Sequence, residues 1–270
     1  MRKFINMKKG IAAFVLFCLM TATSQKCLAW GKEGHEMVAE IAFRFMDDST
    51  KKIVKSFLGN LSIEEAATWM DDEKSNSYYN YMRTWHYVNV DSGQSYKPST
   101  ERDIITVLNS AILDLKNYKN LSRKDVKRDL LLIFHLMGDL HQPLHVGYGV
   151  DRGGNSIEIS SPLVSGNLHG VWDSQIIQAK GIKLDSCLAL YTTLDAKAVS
   201  EIRKINVLSW MNQSRSLLNL VYSFKNNFLS PEYIDQNVAV IERQLLYGGL
   251  RLAEILNETF APGTKVAEKS

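Results

Sequence analysis

Cysteine is nearly absent from this chain, with three in 270 residues. Cys18 and Cys27 stand near the N-terminus, and Cys187 stands alone in the body. If the N-terminal segment is removed, no intrachain disulfide remains, which is unusual for an exported protein. Bound metal could brace such a fold instead, because ligand-binding free energy becomes folding free energy. Long apolar runs are missing after residue 20, which excludes a later membrane span and any stable membrane association. A large excess of one charge is missing too: the formal net charge is +3. That balance gives no global electrostatic reason for tight binding to duplex DNA. Histidine is scarce, with six in all and none beyond His169.

What is present begins with a leader. Arg2, Lys3, Lys8 and Lys9 precede a short apolar run from Ile11 to Met20, and Cys27-Leu28-Ala29 offers small residues for cleavage. A cut after Ala29 predicts a signal peptide over 1–29, a secreted or periplasmic protein, and Trp30 as the new N-terminus. The leader carries five Lys/Arg and no acid, so its loss moves the net charge from +3 to −2. Asn60, Asn120, Asn212 and Asn257 each begin an Asn-x-Ser/Thr sequon, which matters only in a glycosylating host.

Residues 30–270 are expected to form a single all-α domain, with 261–270 as a loose tail and no internal repeat. Val38, Ile41, Ala42 and Phe45 recur at helical spacing. Ser62 and Glu65 make a capping box for a helix over 62–72. Ile104, Val107, Leu108, Ala111, Ile112 and Leu115 mark one helix face. Ser122 opens a helix running to about His141, and its apolar residues cover more than one face, so it should be central. A Gly-rich loop spans 147–154, residues 156–160 alternate as a short strand, and a helix begins near Leu168. Two or three further helices are expected over 194–258.

Helical geometry puts His135 and Asp139, four residues apart, on one face, and His169 with Asp173 likewise. His145, just after Pro143, can fold back toward the first pair. Asp71 is placed near a helix end and His86 in the extended stretch "TWHYVNV". Neutral imidazoles and carboxylates are the ligand vocabulary of zinc. Taken singly, each histidine reads as a satisfied core or surface residue; five with partner carboxylates read as a metal site.

The ordered set "WGKEGH", "WMDDEK", "TWHYVNV", "HLMGDLHQPLHVG", "DRGGN" and "NLHGVWD" resembles the zinc-dependent single-strand-specific nucleases of fungi, plants and bacteria. That family shares its helical fold with zinc-dependent bacterial phospholipases C. The resemblance covers about residues 30–180. It implies three zinc ions: one on Asp71, His86, His135 and Asp139; a second on the Trp30 amine and carbonyl, His35 and the bridging Asp139; a third on His145, His169 and Asp173. His141 is not a ligand in the motif and is expected to orient a ligand or to pack. The activity implied is hydrolysis of single-stranded DNA and RNA to 5′-phosphate products, with dephosphorylation of 3′-mononucleotides. The chain is expected to act as a monomer.

Metal ions of this kind lower the pKa of water toward about 7 and stabilise a departing oxygen. Asp71 and Lys74 are the candidate catalytic residues, Lys74 by stabilising developing charge. Tyr87 is placed to stack a base and Asn155 to support the substrate. Asp151 is expected to orient a ligand histidine. A phospholipase C is the alternative on the same scaffold, but Gly31 after the leading Trp and Asp173 as last ligand favour a nuclease. A zinc-storage protein is the third reading, and it has no use for Lys74.

Overall fold

The computed structural model describes residues 30–261. The expected leader, and residues 262–270 of the expected tail, lie outside the described residues. Helices dominate. They run in order α1 (Lys32–Phe45), α2 (Asp48–Leu58), α3 (Ile63–Asp72), α4 (Ile104–Lys116) and α5 (Arg123–His141), then α6 (Leu184–Tyr191), α7 (Ala196–Arg203), α8 (Val207–Ser216) and α9 (Pro231–Phe260). Between α5 and α6 lie a two-stranded antiparallel ribbon, β1 (Glu158–Ile159) with β2 (Gly166–Asn167), and a helical run over 168–180.

The helices start where local chemistry satisfies their free N–H groups. Ser62 Oγ accepts from the Glu65 N–H at 3.1 Å while Glu65 returns a carboxylate to the Ser62 N–H at 2.7 Å. Ser122 caps α5 through the Asp125 N–H at 3.2 Å, and Ser230 caps α9, where Pro231 takes the first helical position. Asp103 and Thr106 form a reciprocal box on α4 at 2.9 Å in each direction, with Thr in place of the usual Glu or Gln. Each such cap is worth about 1 kcal/mol.

Helix α5 is the axis of the molecule. Every residue from Asp129 to His141 is buried. Helices α1, α3, α4 and α9 all pack on it. Helix α9, the last of the helices expected over 194–258, runs unbroken for 30 residues. Its Gly249 lies against α1 so closely that a methyl group there would fall 2.4 Å from Ile41 Cγ2 and 3.0 Å from the Val38 carbonyl. The sequon at Asn257 is used structurally: its amide accepts from the Asp47 N–H at 2.9 Å and donates to the Phe45 carbonyl at 3.1 Å, closing the α1–α2 corner.

His141 belongs to this frame. Its Nδ1–H donates to the Met137 carbonyl at 2.7 Å, which leaves Nε2 to accept from the buried Arg251 at 2.7 Å. Burial, then the Arg251 charge, hold its pKa well below the usual imidazole range. It therefore packs the core.

Candidate metal centre

Six elements deliver the remaining histidines and their carboxylates to one place. α1 brings His35, the end of α3 brings Asp71, and α5 brings His135 and Asp139. The 3₁₀ turn Pro143–Val146 brings His145, and the run over 168–180 brings His169 and Asp173. His86 comes from the last position of a 3₁₀ helix, Ser77–His86, and not from extended chain as expected; the extended stretch begins one residue later at Tyr87. Asn76 starts that helix by accepting from the Tyr78 N–H, and Tyr81 stacks edge-on to Trp85 along it. The run over 168–180 contains a π turn at Val171–Gln175, so His169 and Asp173 straddle a widened turn.

Asp139 is the hub and is fully buried. Its carboxylate oxygens lie 3.3 Å from His35 Nε2, 3.0 Å from His86 Nδ1, 3.3 Å from His135 Nε2 and 3.6 Å from His145 Nδ1. Asp71 adds an oxygen 3.6 Å from His135 Nε2 and 4.0 Å from His86 Nδ1. His169 Nε2 lies 3.5 Å from Asp173 and 3.1 Å from His145 Nε2. Three clusters that could each hold a cation result: His35/His135/Asp139, Asp71/His86/His135 and His145/His169/Asp173.

Glycine allows the closest approach. A methyl group on Gly138 would lie 2.5 Å from His35 Nδ1, so α1 can bring that ring onto α5 only over a glycine. The His35 and His135 rings stack there, with centroids 4.1 Å apart. Trp30 is fully buried, and the next N–H, that of Gly31, donates to the Asp173 carbonyl at 2.7 Å. The start of the described chain is thereby fixed to the segment carrying Asp173.

The hydrogen bonds behind the rings settle which nitrogens face inward. His135, His145 and His169 each direct Nδ1 at a backbone carbonyl, of Ala67, His86 and Gly153, at 2.6, 2.7 and 2.6 Å. Donation there leaves each Nε2 as an inward lone pair, the arrangement metal-ligating histidines adopt. Asp151 was expected to orient one of these rings. It accepts instead from the Gly154 N–H at 3.0 Å, and the orienting acceptor is the Gly153 carbonyl, turned inward by consecutive positive φ angles at 152–154.

The electrostatics also fit a bound cation. The facing Nε2 atoms of His145 and His169, 3.1 Å apart, are two lone pairs that repel unless a cation lies between them. Burial pushes these imidazoles down to about 3 and about 4, so both are neutral near pH 7. Burial also lowers His35 and His86. Burial raises the Asp173 carboxyl well above the usual range, against a hydrogen bond from Gln142. Both ring nitrogens of His35 and Oδ1 of Asp139 are buried without a hydrogen bond among the described residues. Imidazole nitrogens and carboxylate oxygens turned inward in this way suit zinc.

A cleft of about 430 Å³ opens onto the clusters. Lys74, Tyr87 and Asn155, singled out from sequence, all line it, and so do Arg83, Asn89 and Arg152, which were not. The signal for Asn89 lay inside "TWHYVNV" and that for Arg152 inside "DRGGN", but neither letter string says which side chains face a cavity. Lys74 is ion-paired with Asp71. Burial disfavours its charge, but the Asp71 carboxylate outweighs burial and raises its pKa, so it stays cationic. Arg215 braces one wall by donating to the Gly147 carbonyl at 3.1 Å and the Val90 carbonyl at 2.7 Å, tying segment 87–90 to the turn that bears His145.

A mainly helical frame around clustered imidazoles and carboxylates defines a candidate polynuclear metalloprotein. The family model described as S1/P1 Nuclease matches residues 30–261. Endonuclease 2 of Arabidopsis thaliana is 28% identical, covering 86% of this chain and 90% of its own. Nuclease P1 of Penicillium citrinum is 26% identical over 88% of this chain and all of its own. Nuclease S1 of Aspergillus oryzae is 30% identical over 57% of each chain. The chain belongs to the S1/P1 nuclease family. It is a hydrolase of phosphodiester bonds.

Proposed function

We propose that this protein is an extracytoplasmic, zinc-dependent endonuclease that cleaves single-stranded DNA and RNA to 5′-phosphate products and dephosphorylates 3′-mononucleotides. The observation that carries the metal part is the set of inward, carbonyl-anchored imidazoles, above all the opposed Nε2 atoms of His145 and His169 at 3.1 Å. Asp71, His86, His135 and Asp139 would hold one zinc, Trp30, His35 and Asp139 a second, and His145, His169 and Asp173 the third. Bound there, zinc supplies water of lowered pKa and positive charge for the phosphate.

The chain's own residues do the rest. The Ala67, His86 and Gly153 carbonyls fix ring orientation. Lys74, held by Asp71 at the cleft, offers its ammonium to the charge that builds on the phosphate. Tyr87, 40% exposed at the rim, presents a ring to an unstacked base, a contact a duplex cannot make. A rim bearing Lys74, Arg83 and Arg152 favours a polyanionic strand over a lipid headgroup. Among the described residues no helix is long and apolar enough to cross a membrane.

Elemental analysis tests this reading. Protein purified without chelator should carry about three zinc ions per chain, and Lys74→Ala should keep them while losing about 10²–10³ in kcat. A reproducible ratio of one or less rejects the trinuclear reading. Zinc loss in Lys74→Ala would make the lysine part of the scaffold.

A further inference from the structure

Two exposed guanidiniums line the cleft, and neither touches a carboxylate among the described residues. Arg83 stands three residues before His86 on the 3₁₀ helix Ser77–His86. Arg152 adjoins Gly153, whose carbonyl holds His169. Each cation is thus tied through a short piece of backbone to a cluster histidine, one on the Asp71 side and one on the Asp173 side.

Arg152 is also out of place by local preference. Its φ is +58°, and Gly153 and Gly154 follow at +62° and +81°. A side chain with a Cβ is disfavoured in this left-handed region, where glycine is at home. The turn holds it there through Arg152 N–H to the Gly149 carbonyl at 3.1 Å and Asn155 Nδ2 to the Arg152 carbonyl at 2.9 Å. Folding alone would favour glycine at 152 as at the next two positions. A charged side chain thus lines the cleft from a disfavoured backbone position, and local strain of this kind clusters at functional sites.

We propose that Arg83 and Arg152 form a clamp for the non-reacting phosphates on either side of the scissile one, so that the cleft selects strands over single nucleotides. This rests on the nuclease reading above. Guanidinium matches phosphate with two parallel N–H···O bonds, and two such contacts register a flexible strand across the clusters. A 3′-mononucleotide carries only the phosphate that reacts and has nothing to place in the clamp.

The test uses the full zinc-loaded protein with Arg83→Ala, Arg152→Gly and the double variant. For each arginine removed, kcat/KM on a single-stranded oligonucleotide should fall about tenfold relative to turnover of a 3′-mononucleotide, mainly through KM. The slope of log affinity against log salt for a fluorescein-labelled strand, read by anisotropy, should shrink by about 0.7 per arginine. Arg152→Gly should melt at the same temperature or higher, because glycine relieves the left-handed residue, so loss of strand binding cannot be assigned to unfolding. An unchanged salt slope in the double variant overturns the clamp, and so does an equal fall on strand and mononucleotide. Anisotropy reads the clamp even without turnover, whereas a wild-type protein that binds the strand but cleaves neither substrate would overturn the nuclease reading instead.

Discussion

Replacing Asp139 by Asn should lower kcat/KM by about three orders of magnitude or more while leaving the helical frame standing. Four imidazole nitrogens lie within 3.0–3.6 Å of this carboxylate. Burial works against its charge, yet His135 and His145 outweigh burial and hold its pKa well below the carboxylate range, so it is anionic at every working pH. Asn has the same shape and no charge. It can still donate to an inward Nε2, so the side chain remains packed. What it cannot do is balance two cations from one position. Elemental analysis beside kinetics should show a shortfall of zinc together with the loss of rate. Near-normal turnover with full zinc in Asp139→Asn would remove this residue from the centre of the mechanism.

The second large effect is expected at the other end of the ligand set. A mature chain that begins at Trp30 offers its α-amine, whose pKa of about 7.7–8.0 lets a metal displace the proton. One extra residue ahead of Trp30 converts that donor into an amide. Activity should fall by about two orders of magnitude or more, with one zinc lost. The surroundings leave no slack to absorb the addition: Trp30 is fully buried, and a methyl group on Gly31 would lie 2.6 Å from Ser174 Oγ. N-terminal sequencing of the exported protein fixes the cut independently. Full activity with an uncleaved tag ahead of Trp30 would contradict the proposed role of the amine.

These residues also show what a sequence can and cannot convey. Ser62 with Glu65, and Ser122 ahead of α5, were legible because capping is local: the partner lies three residues away. The pairing of His135 with Asp139 followed from helical spacing alone. His86 was misplaced because "TWHYVNV" alternates like extended chain up to the histidine, while the structure closes that stretch as a 3₁₀ helix. The π turn at Val171–Gln175 has no spacing signature of its own. Arg215 was invisible, since its acceptors at Val90 and Gly147 lie 125 and 68 residues away. Asp151 was given a task that a backbone carbonyl performs, and only the φ angles of the turn reveal it. Convergence of six separate segments on one group of ligands is a tertiary fact. The family resemblance anticipated it where spacing could not.

The most direct test of the whole account is a set of initial rates for zinc-loaded protein on matched single-stranded DNA, single-stranded RNA, duplex DNA and phospholipid micelles, with the product ends identified. The account predicts rapid cleavage of both single strands to fragments bearing 5′-phosphates, much slower cleavage of duplex, and almost none of phospholipid. Phospholipid as the faster substrate, or products bearing 3′-phosphates, would contradict it.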